Sequence, residues 1–208
     1  MSRKRRVYGP SGCRYSIHNR INDPEIMRFE DPIVARMIFE VFLEAKKKFN
    51  FQFNMATVMG NHNHKKIKVN GEGDQISKIM HWINTVTAIR YNKLTGHKGR
   101  VWRERFTSYI IHDWSYFINT AAYIARNPER ANLEKVEAYP YSSAIFLYKT
   151  KHPLQEFEKY RTLFEEAYPG YFEDVKKYIA AQREDEKLSR GLSVVPRKIG
   201  CPKKEKSN

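Results

Sequence analysis

Apolar side chains recur along this chain at two different spacings. Three- and four-residue spacing predicts helices from Pro32 to about Lys48, from Asp74 to Gly96, and from Asp113 to Asn127. An aspartate stands at the start of each stretch, where a carboxylate can accept hydrogen bonds from the first free backbone amides. The proline after Asn127 predicts the end of the third helix, because a residue before proline avoids helical angles.

Two-residue alternation predicts strands. It is clearest in residues 49–59 and 62–69, which Gly60 and Asn61 would join as a hairpin. Shorter segments at 13–19 and 102–111 also read as strands. The mixed order predicts an α+β fold, an antiparallel sheet with helices packed on one side.

Charge and glycine content divide the chain. Residues 1–12 predict a basic N-terminal arm, 13–148 a folded domain, 149–190 a helical extension, and 191–208 a basic, disordered tail. Within the extension, helices are expected from Leu154 to Tyr168 and from Tyr171 to Leu188.

The charge balance indicates a polyanionic partner. The 208 residues include 38 lysines and arginines against 23 acidic residues, a formal net charge of +15. Nucleic acid is the first expectation, because basic side chains on phosphates release condensed counterions. No apolar run approaches the ~20 residues of a membrane span, and two cysteines are too few for a disulfide framework. We expect a soluble cytoplasmic protein that associates with the nucleoid.

Two histidines in the second hairpin strand are candidate metal ligands. His62 and His64 alternate with Asn63, so both imidazoles share one face, with Cα atoms roughly 7 Å apart. Two ligands alone define a weak site, and a pair of exposed strand histidines remains an equal alternative.

The predicted third helix carries a polar stripe beside its apolar face. Tyr116, Thr120, Tyr123 and Asn127 lie at offsets of zero, four, seven and eleven. The chain has 13 tyrosines, so this spacing alone does not single out Tyr123 as a nucleophile.

The segment Met59–Ile67 resembles the histidine strand of the HUH single-tyrosine transposases, in which two histidines flank a bulky apolar residue. Further segments are similar, in the same order, to blocks of the REP-associated tyrosine transposase branch. They are Ile79–Trp82 with Arg90–Asn92, Gly99–Phe106, Tyr123–Ala131 and Tyr139–Ser143. The resemblance spans roughly residues 13–148.

This resemblance implies a ferredoxin-like α+β domain, an antiparallel sheet with helices, that cleaves and transfers single-stranded DNA beside a hairpin. Carried onto this chain, it implies that Tyr123 attacks phosphorus and becomes a 5′-phosphotyrosine. His62 and His64 would hold Mg²⁺ or Mn²⁺, with Asn127 as a third ligand. It allows either a monomer or a homodimer, and Tyr123 could serve the histidines of its own chain or of a partner.

The strand also departs from the family pattern. Asn63, Lys65 and Lys66 replace apolar residues, and alternation returns Lys66 to the histidine face. There its ammonium would either weaken metal binding or hold a DNA phosphate. The alternative function is therefore a catalytically weakened descendant that binds hairpin DNA, and a weaker alternative is an RNA-binding protein.

Basic and aromatic residues elsewhere are candidate DNA contacts, because cations bind phosphates and rings stack on bases. With Lys66, the predicted nucleic-acid-binding residues are Arg100, Trp102, Arg103, Arg105, Arg126 and Arg130.

Overall fold

The computed structural model describes residues 7–23 and 28–191, with side chains through Lys187. The four strands are β1 (Arg14–Arg20), β2 (Phe51–Val58), β3 (His62–Val69) and β4 (Thr107–Ile111). The α-helices are α1 (Pro32–Lys48), α2 (Gln75–Thr95), α3 (Trp114–Ala125), α4 (Asn127–Arg130) and α5 (Tyr171–Gly191). Two 3₁₀ helices cover Ser143–Leu147 and Gln155–Leu163. Half of the predicted arm and nearly all of the predicted tail lie outside the described residues.

The strands form one antiparallel sheet in the order β2-β3-β1-β4. The β2–β3 hairpin has the predicted turn, and β1 inserts between β3 and β4. The register places His18 of β1 opposite His64 of β3 and Arg20 opposite His62. The predicted α+β class and antiparallel sheet are confirmed.

Helices cover both faces of this sheet, where the sequence predicted helices on one side. On one face, α1 and α2 pack over Ile17, Phe53 and Ile67. On the other, α3 and α5 share an apolar cluster with Met55 and Ile111. Strand β3 is therefore buried on both faces, which an alternating sequence does not reveal.

Several helix ends follow the predicted caps and others do not. The carboxylate of Asp31 accepts from the amides of Ile33 and Val34 at 2.9 and 3.2 Å. Asp113 accepts from Tyr116 at 2.6 Å. By contrast, Asp74 makes no capping hydrogen bond and instead pairs with Lys78.

One predicted strand boundary is wrong, and the predicted end of the third helix is followed at once by another helix. Strand β4 starts at Thr107, and Trp102 forms a separate bridge with Ile21. The Asn127–Pro128 step ends α3 but begins α4 at once, because proline suits the first turn of a helix.

The C-terminal segment packs into both apolar clusters. Phe157 and Tyr160 of the second 3₁₀ helix join the cluster under α1, and Tyr171 and Val175 of α5 join the one under α3. The predicted Leu154–Tyr168 helix is a shorter 3₁₀ helix, whereas α5 agrees with its prediction. Within the described residues, no helix is long and apolar enough to cross a membrane.

Candidate functional site

Strand β3 holds His62 and His64 on the face covered by α3. Their ring centroids lie 4.9 Å apart, with the ring planes perpendicular. His64 is buried and His62 is half-buried. The two imidazoles therefore share one face of the strand, as predicted, and their rings are in contact.

Helices α3 and α4 bring Tyr123 and Asn127 to the same two histidines. The Tyr123 ring stands edge-on to His64, with centroids 5.7 Å apart. The Asn127 Oδ1 atom lies 3.3 Å from Nε2 of His62. Tyr123 is 44% exposed, so its hydroxyl-bearing ring lies at the mouth of the cluster. The structure thus brings all four predicted residues together.

A third histidine, which the sequence analysis missed, completes the cluster. His18 of β1 stacks on His64 with centroids 4.8 Å apart and planes at 28°, and it lies 5.6 Å from His62. Exposed Arg20 donates from Nε to Nε2 of His18 at 3.4 Å. His18 lies in the predicted strand 13–19 and Arg20 directly follows it, but the pairing of β1 with β3 was not visible in the sequence.

Burial lowers the pKa of all three histidines. That of His18 falls to about 4, mainly through burial and then through the charges of His62 and Arg20. The pKa of His64 lies well below its ordinary value for the same reasons, and that of His62 is also lowered. The rings are therefore neutral at pH 7, which is the form that binds a metal.

These residues fit a divalent metal ion. Two neutral imidazoles and the Asn127 amide oxygen offer nitrogen and oxygen donors, a mixed set that suits Mn²⁺ better than the all-oxygen preference of Mg²⁺. The ring of His18 stacks on the ring of His64 and does not lie beside it, so His18 is not counted among these donors. Across the part of the chain that the structure describes, no three His, Cys, Asp or Glu side chains form a metal-binding group. A third donor would therefore have to come from another residue type, and the Asn127 amide oxygen lies within reach of His62.

Lys66 lies on the histidine face, as alternation predicted, but it points away from the opening. It is 0% exposed, and its ammonium donates to the Phe117 carbonyl and, at 2.8 Å, to Thr120 Oγ1. Burial lowers its pKa to about 6. The structure therefore does not support Lys66 as a DNA contact, and as a neutral amine it does not repel a metal.

Two further predicted DNA contacts, Arg126 and Trp102, instead make hydrogen bonds within the protein. Arg126 is 3% exposed and binds Glu186 through two hydrogen bonds of 2.6 and 3.1 Å, with Gln182 at 3.1 Å. The Trp102 indole donates to the Asn84 carbonyl at 2.8 Å and packs against the core. The structure does not support either residue as a DNA contact.

The remaining predicted cations are exposed. Arg130 lies 5.6 Å from the centroid of the Tyr123 ring. The Arg103 amide donates to the Arg20 carbonyl at 3.0 Å, which places the segment containing Arg100 and Arg105 beside the end of β1 that carries His18. Exposed cations therefore border the cluster on two sides.

Comparison with known proteins agrees with this fold. The model of the family "Transposase IS200 like" matches residues 23–127, just over half of the chain, and includes both histidines, Tyr123 and Asn127. This chain therefore belongs to the IS200-like transposase family, as its sequence predicted.

A solved structure shares this fold, and a second can be aligned with part of the chain. A REP-associated tyrosine transposase bound to a REP hairpin aligns with a TM-score of 0.59 at 21% identity, covering 69% of this chain and 82% of that chain. A transposase-like protein from Deinococcus radiodurans aligns with a TM-score of 0.43 at 14% identity, covering 64% of this chain and 100% of that one. A search of curated proteins gave no match.

Proposed function

We propose that this protein cleaves and rejoins single-stranded DNA beside a hairpin, with Tyr123 as the nucleophile. The observation that carries the proposal is the convergence of Tyr123, His62, His64 and Asn127 at one opening, in a chain of the IS200-like transposase family. The proposed catalytic domain is residues 13–148.

The reaction exchanges one phosphoester bond for another. The Tyr123 oxygen forms a bond to the scissile phosphorus, and the bond from that phosphorus to the preceding 3′-oxygen breaks. The phenol proton passes to solvent, to which Tyr123 is open, and the released 3′-oxygen takes up a proton. Because a phenolate is a good leaving group, a 3′-hydroxyl can later reverse the step and join a strand.

His62, His64 and Asn127 would hold a divalent ion at the scissile phosphate. Such an ion supplies charge neutralisation and polarises the phosphoryl oxygen. The neutral state of both imidazoles supports this role, because a protonated ring cannot be a ligand. The lowered pKa of Lys66 also supports this metal-binding role, because a neutral amine does not repel a metal ion.

The cations around the opening would hold the DNA backbone. Arg20, Arg103 and Arg130 lie close to the cluster or its rim, where they can meet phosphates on either side of the cleaved bond. A hairpin as the folded part of the substrate is supported by the REP hairpin bound to the structural neighbour.

The proposal is tested by incubating the protein with hairpin oligonucleotides labelled at the 3′ end and Mn²⁺ or Mg²⁺, followed by a denaturing protein gel. The 3′ label is needed because the strand on the 3′ side of the cut stays on Tyr123. We expect label attached to the wild-type protein and to Tyr8→Phe, an exposed tyrosine that binds Ser77 far from the site. Tyr123→Phe and EDTA should both abolish it. A label retained by Tyr123→Phe would refute the nucleophile.

The binding-only alternative makes the opposite prediction in the same experiment. A descendant without chemistry would retain hairpin binding in a native gel, in the presence of EDTA, and would attach no label across a varied oligonucleotide pool. Preference for RNA hairpins over DNA hairpins would favour the RNA-binding alternative.

A further inference from the structure

A cleft of about 620 Å³ opens on the side of the protein away from the histidine cluster. It lies between residues 33–40 of α1, residues 90–94 of α2 and residues 156–159 of the second 3₁₀ helix, and we call it the α1–α2 cleft. Helices α1 and α2 pack on one face of the sheet, whereas the histidine cluster lies on the face covered by α3. The sheet therefore separates the α1–α2 cleft from the proposed catalytic site.

Aliphatic side chains line the cleft and keep part of their surface in water. Ile33 is 56% exposed, Leu94 is 47% exposed, and Met37 is half-buried. Two hydrogen bonds of 2.7 and 2.8 Å from Arg90 of α2 to Glu44 of α1 hold the two helices side by side. Exposed apolar side chains that share one concave surface on fixed helices are typical of a binding site.

The cations of the cleft are only partly neutralised by the protein. The ammonium of Lys159 pairs with Glu40, whose carboxylate also accepts from Tyr160 at 2.8 Å. Arg36 and Lys93 are exposed and form no ion pair within the part of the chain that the structure describes. Two cations beside an aliphatic surface are therefore available to an acidic ligand.

Other occupants match this surface less well. Among the described residues that line the cleft there is no aromatic ring on which a base could stack, and the exposed carboxylate of Glu156 would repel phosphates. Residues 192–208 of this chain contain five cations and one acid, so Arg36 and Lys93 would repel them. A second copy carries the same net charge of +15 and would be repelled for the same reason.

We propose that the α1–α2 cleft binds an acidic peptide segment of another protein. Its aliphatic side chains would contact Ile33, Met37 and Leu94, and its carboxylates would pair with Arg36 and Lys93. Because the cleft and the histidine cluster lie on opposite sides of the sheet, such a partner can bind while DNA occupies the proposed catalytic site. The inference goes beyond the proposed function and does not depend on it.

The test measures binding of the 208-residue protein to a panel of fluorescent ten-residue peptides that contain aspartate, leucine and serine in different orders. We expect the tightest peptides to contain both aspartate and leucine. Matched peptides with asparagine in place of aspartate, or with serine in place of leucine, should bind about five-fold or more weakly. This pair of controls separates the charged from the apolar contribution.

Variants on α2 show whether these peptides bind in the cleft. Leu94→Ser removes an apolar contact and Lys93→Glu reverses a charge, so each should lower the affinity of the tightest peptides by about five-fold or more. Ile89→Ser and Lys78→Glu are matched controls at exposed positions of the same helix outside the cleft, and they should retain wild-type affinity. Thermal melts check that all four variants are folded.

Methionine methyl groups labelled with ¹³C give a second readout by NMR. Met37 lines the cleft, whereas Met55, Met59 and Met80 are buried elsewhere. The peptide should shift the Met37 signal, assigned with Met37→Leu, and leave the signals of the three buried methionines unchanged.

The inference is overturned if no peptide of the panel binds wild type more tightly than it binds folded Leu94→Ser and Lys93→Glu proteins, or if the Met37 signal does not respond. It is also overturned if the Met37 signal responds to hairpin DNA, to anionic lipid vesicles or to higher protein concentration and not to the peptides. The proposed function fails separately, if no covalent adduct forms on Tyr123 with any oligonucleotide.

Discussion

Strand β3 buries a lysine on each of its two faces, but the two faces differ. Toward α1, the ammonium of Lys65 donates to Asn63 and, at 3.1 Å, to Asn19, and it lies 5.5 Å from the centroid of the Phe42 ring. Toward α3, Lys66 shares its face with His62 and His64. Both lysines are 0% exposed.

The comparison separates polar groups that stabilise the fold from those that form a site. On the α1 face, Lys65 and its asparagine partners are enclosed in the apolar core, so the group has no route to a substrate. On the α3 face, the cluster continues from buried Lys66 through His64 to exposed Tyr123. Changes on the first face should therefore alter stability, and changes around the second opening should alter chemistry.

The largest expected effect is on the α3 face. His64→Gln removes one proposed metal ligand, and we expect the rate of adduct formation in Mn²⁺ to fall by about 1,000-fold or more. The melting temperature should change little, because a buried neutral imidazole is replaced by a side chain of similar size. Single-turnover gels and thermal melts measure both. Unchanged adduct formation would remove His64 from the site.

On the α1 face, Lys65→Met should leave the rate of adduct formation within about two-fold of wild type, while changing stability through its lost hydrogen bonds to Asn19 and Asn63. A large loss of adduct formation in a folded Lys65→Met protein would contradict the separation of the two faces.

Both lysines should make stability rise with pH. Burial lowers the pKa of Lys65 to about 7 and that of Lys66 to about 6, from an ordinary 10.5. Between about pH 7 and 10 the unfolded chain therefore binds more protons than the folded one. The free energy of unfolding should increase with pH by up to about 1.4 kcal/mol per unit for each lysine.

Below about pH 6 both lysines are protonated in the folded and in the unfolded chain. They then no longer contribute to the slope of the free energy of unfolding against pH. Urea melts in EDTA at pH 7, 8 and 9 measure the effect. Lys65→Met should remove about half of the slope, whereas Lys78→Met, at an exposed position, should leave it intact. If the slope of the free energy of unfolding against pH were the same in wild type and in Lys65→Met, the burial of Lys65 as a neutral amine would be contradicted.

A smaller effect on stability is expected where α5 holds the helix end that carries Tyr123. Arg126 joins α3 to Glu186 and Gln182 of α5, and nearby Arg183 pairs with Glu129 and Glu137. Arg126→Met should lower the free energy of unfolding by about 1–3 kcal/mol, because its carboxylate partners are partly solvated and can rehydrate.

Lys187→Met is the matched control for Arg126→Met, because it breaks an exposed pair with Glu184 on the same helix. Its cost should not exceed about 0.5 kcal/mol. Equal costs for the two variants in urea melts would show that the contact between α3 and α5 is not specially stabilising.

The smallest effect is expected at the exposed rim. Arg103→Gln should weaken hairpin DNA binding about two- to five-fold and reduce the slope of log affinity against log salt by about 0.7 to 0.9, because one phosphate contact is lost. Titrations at several salt concentrations measure the slope. Arg28→Gln, at an exposed arginine paired with Glu30, is the control and should leave the slope unchanged.

Local periodicity was enough to predict much of the site. Alternation placed His62, His64 and Lys66 on one face, because side chains in a strand alternate whatever the tertiary structure. The helical stripe placed Tyr123 and Asn127 together for a similar reason. The same patterns predicted the hairpin, the three long helices and α5.

Long-range pairing accounts for what the sequence did not reveal. His18 and Arg20 join the site because β1 inserts beside β3, and strand order is not encoded in alternation. Arg126 is buried by partners on α5 that lie 56 and 60 residues later. Trp102 is anchored by a carbonyl of α2 in the same way. Exposure of a cation or ring therefore could not be predicted from its neighbours in the chain.

The most direct test of the central claim is the identity of the residue that becomes attached to DNA. The covalent product of wild-type protein, Mn²⁺ and a hairpin oligonucleotide would be digested with nuclease and protease and analysed by mass spectrometry. The account predicts a nucleoside 5′-phosphate on the peptide containing Tyr123. A nucleotide joined through its phosphate to any other residue, or cleaved DNA with no attached protein, would contradict this account.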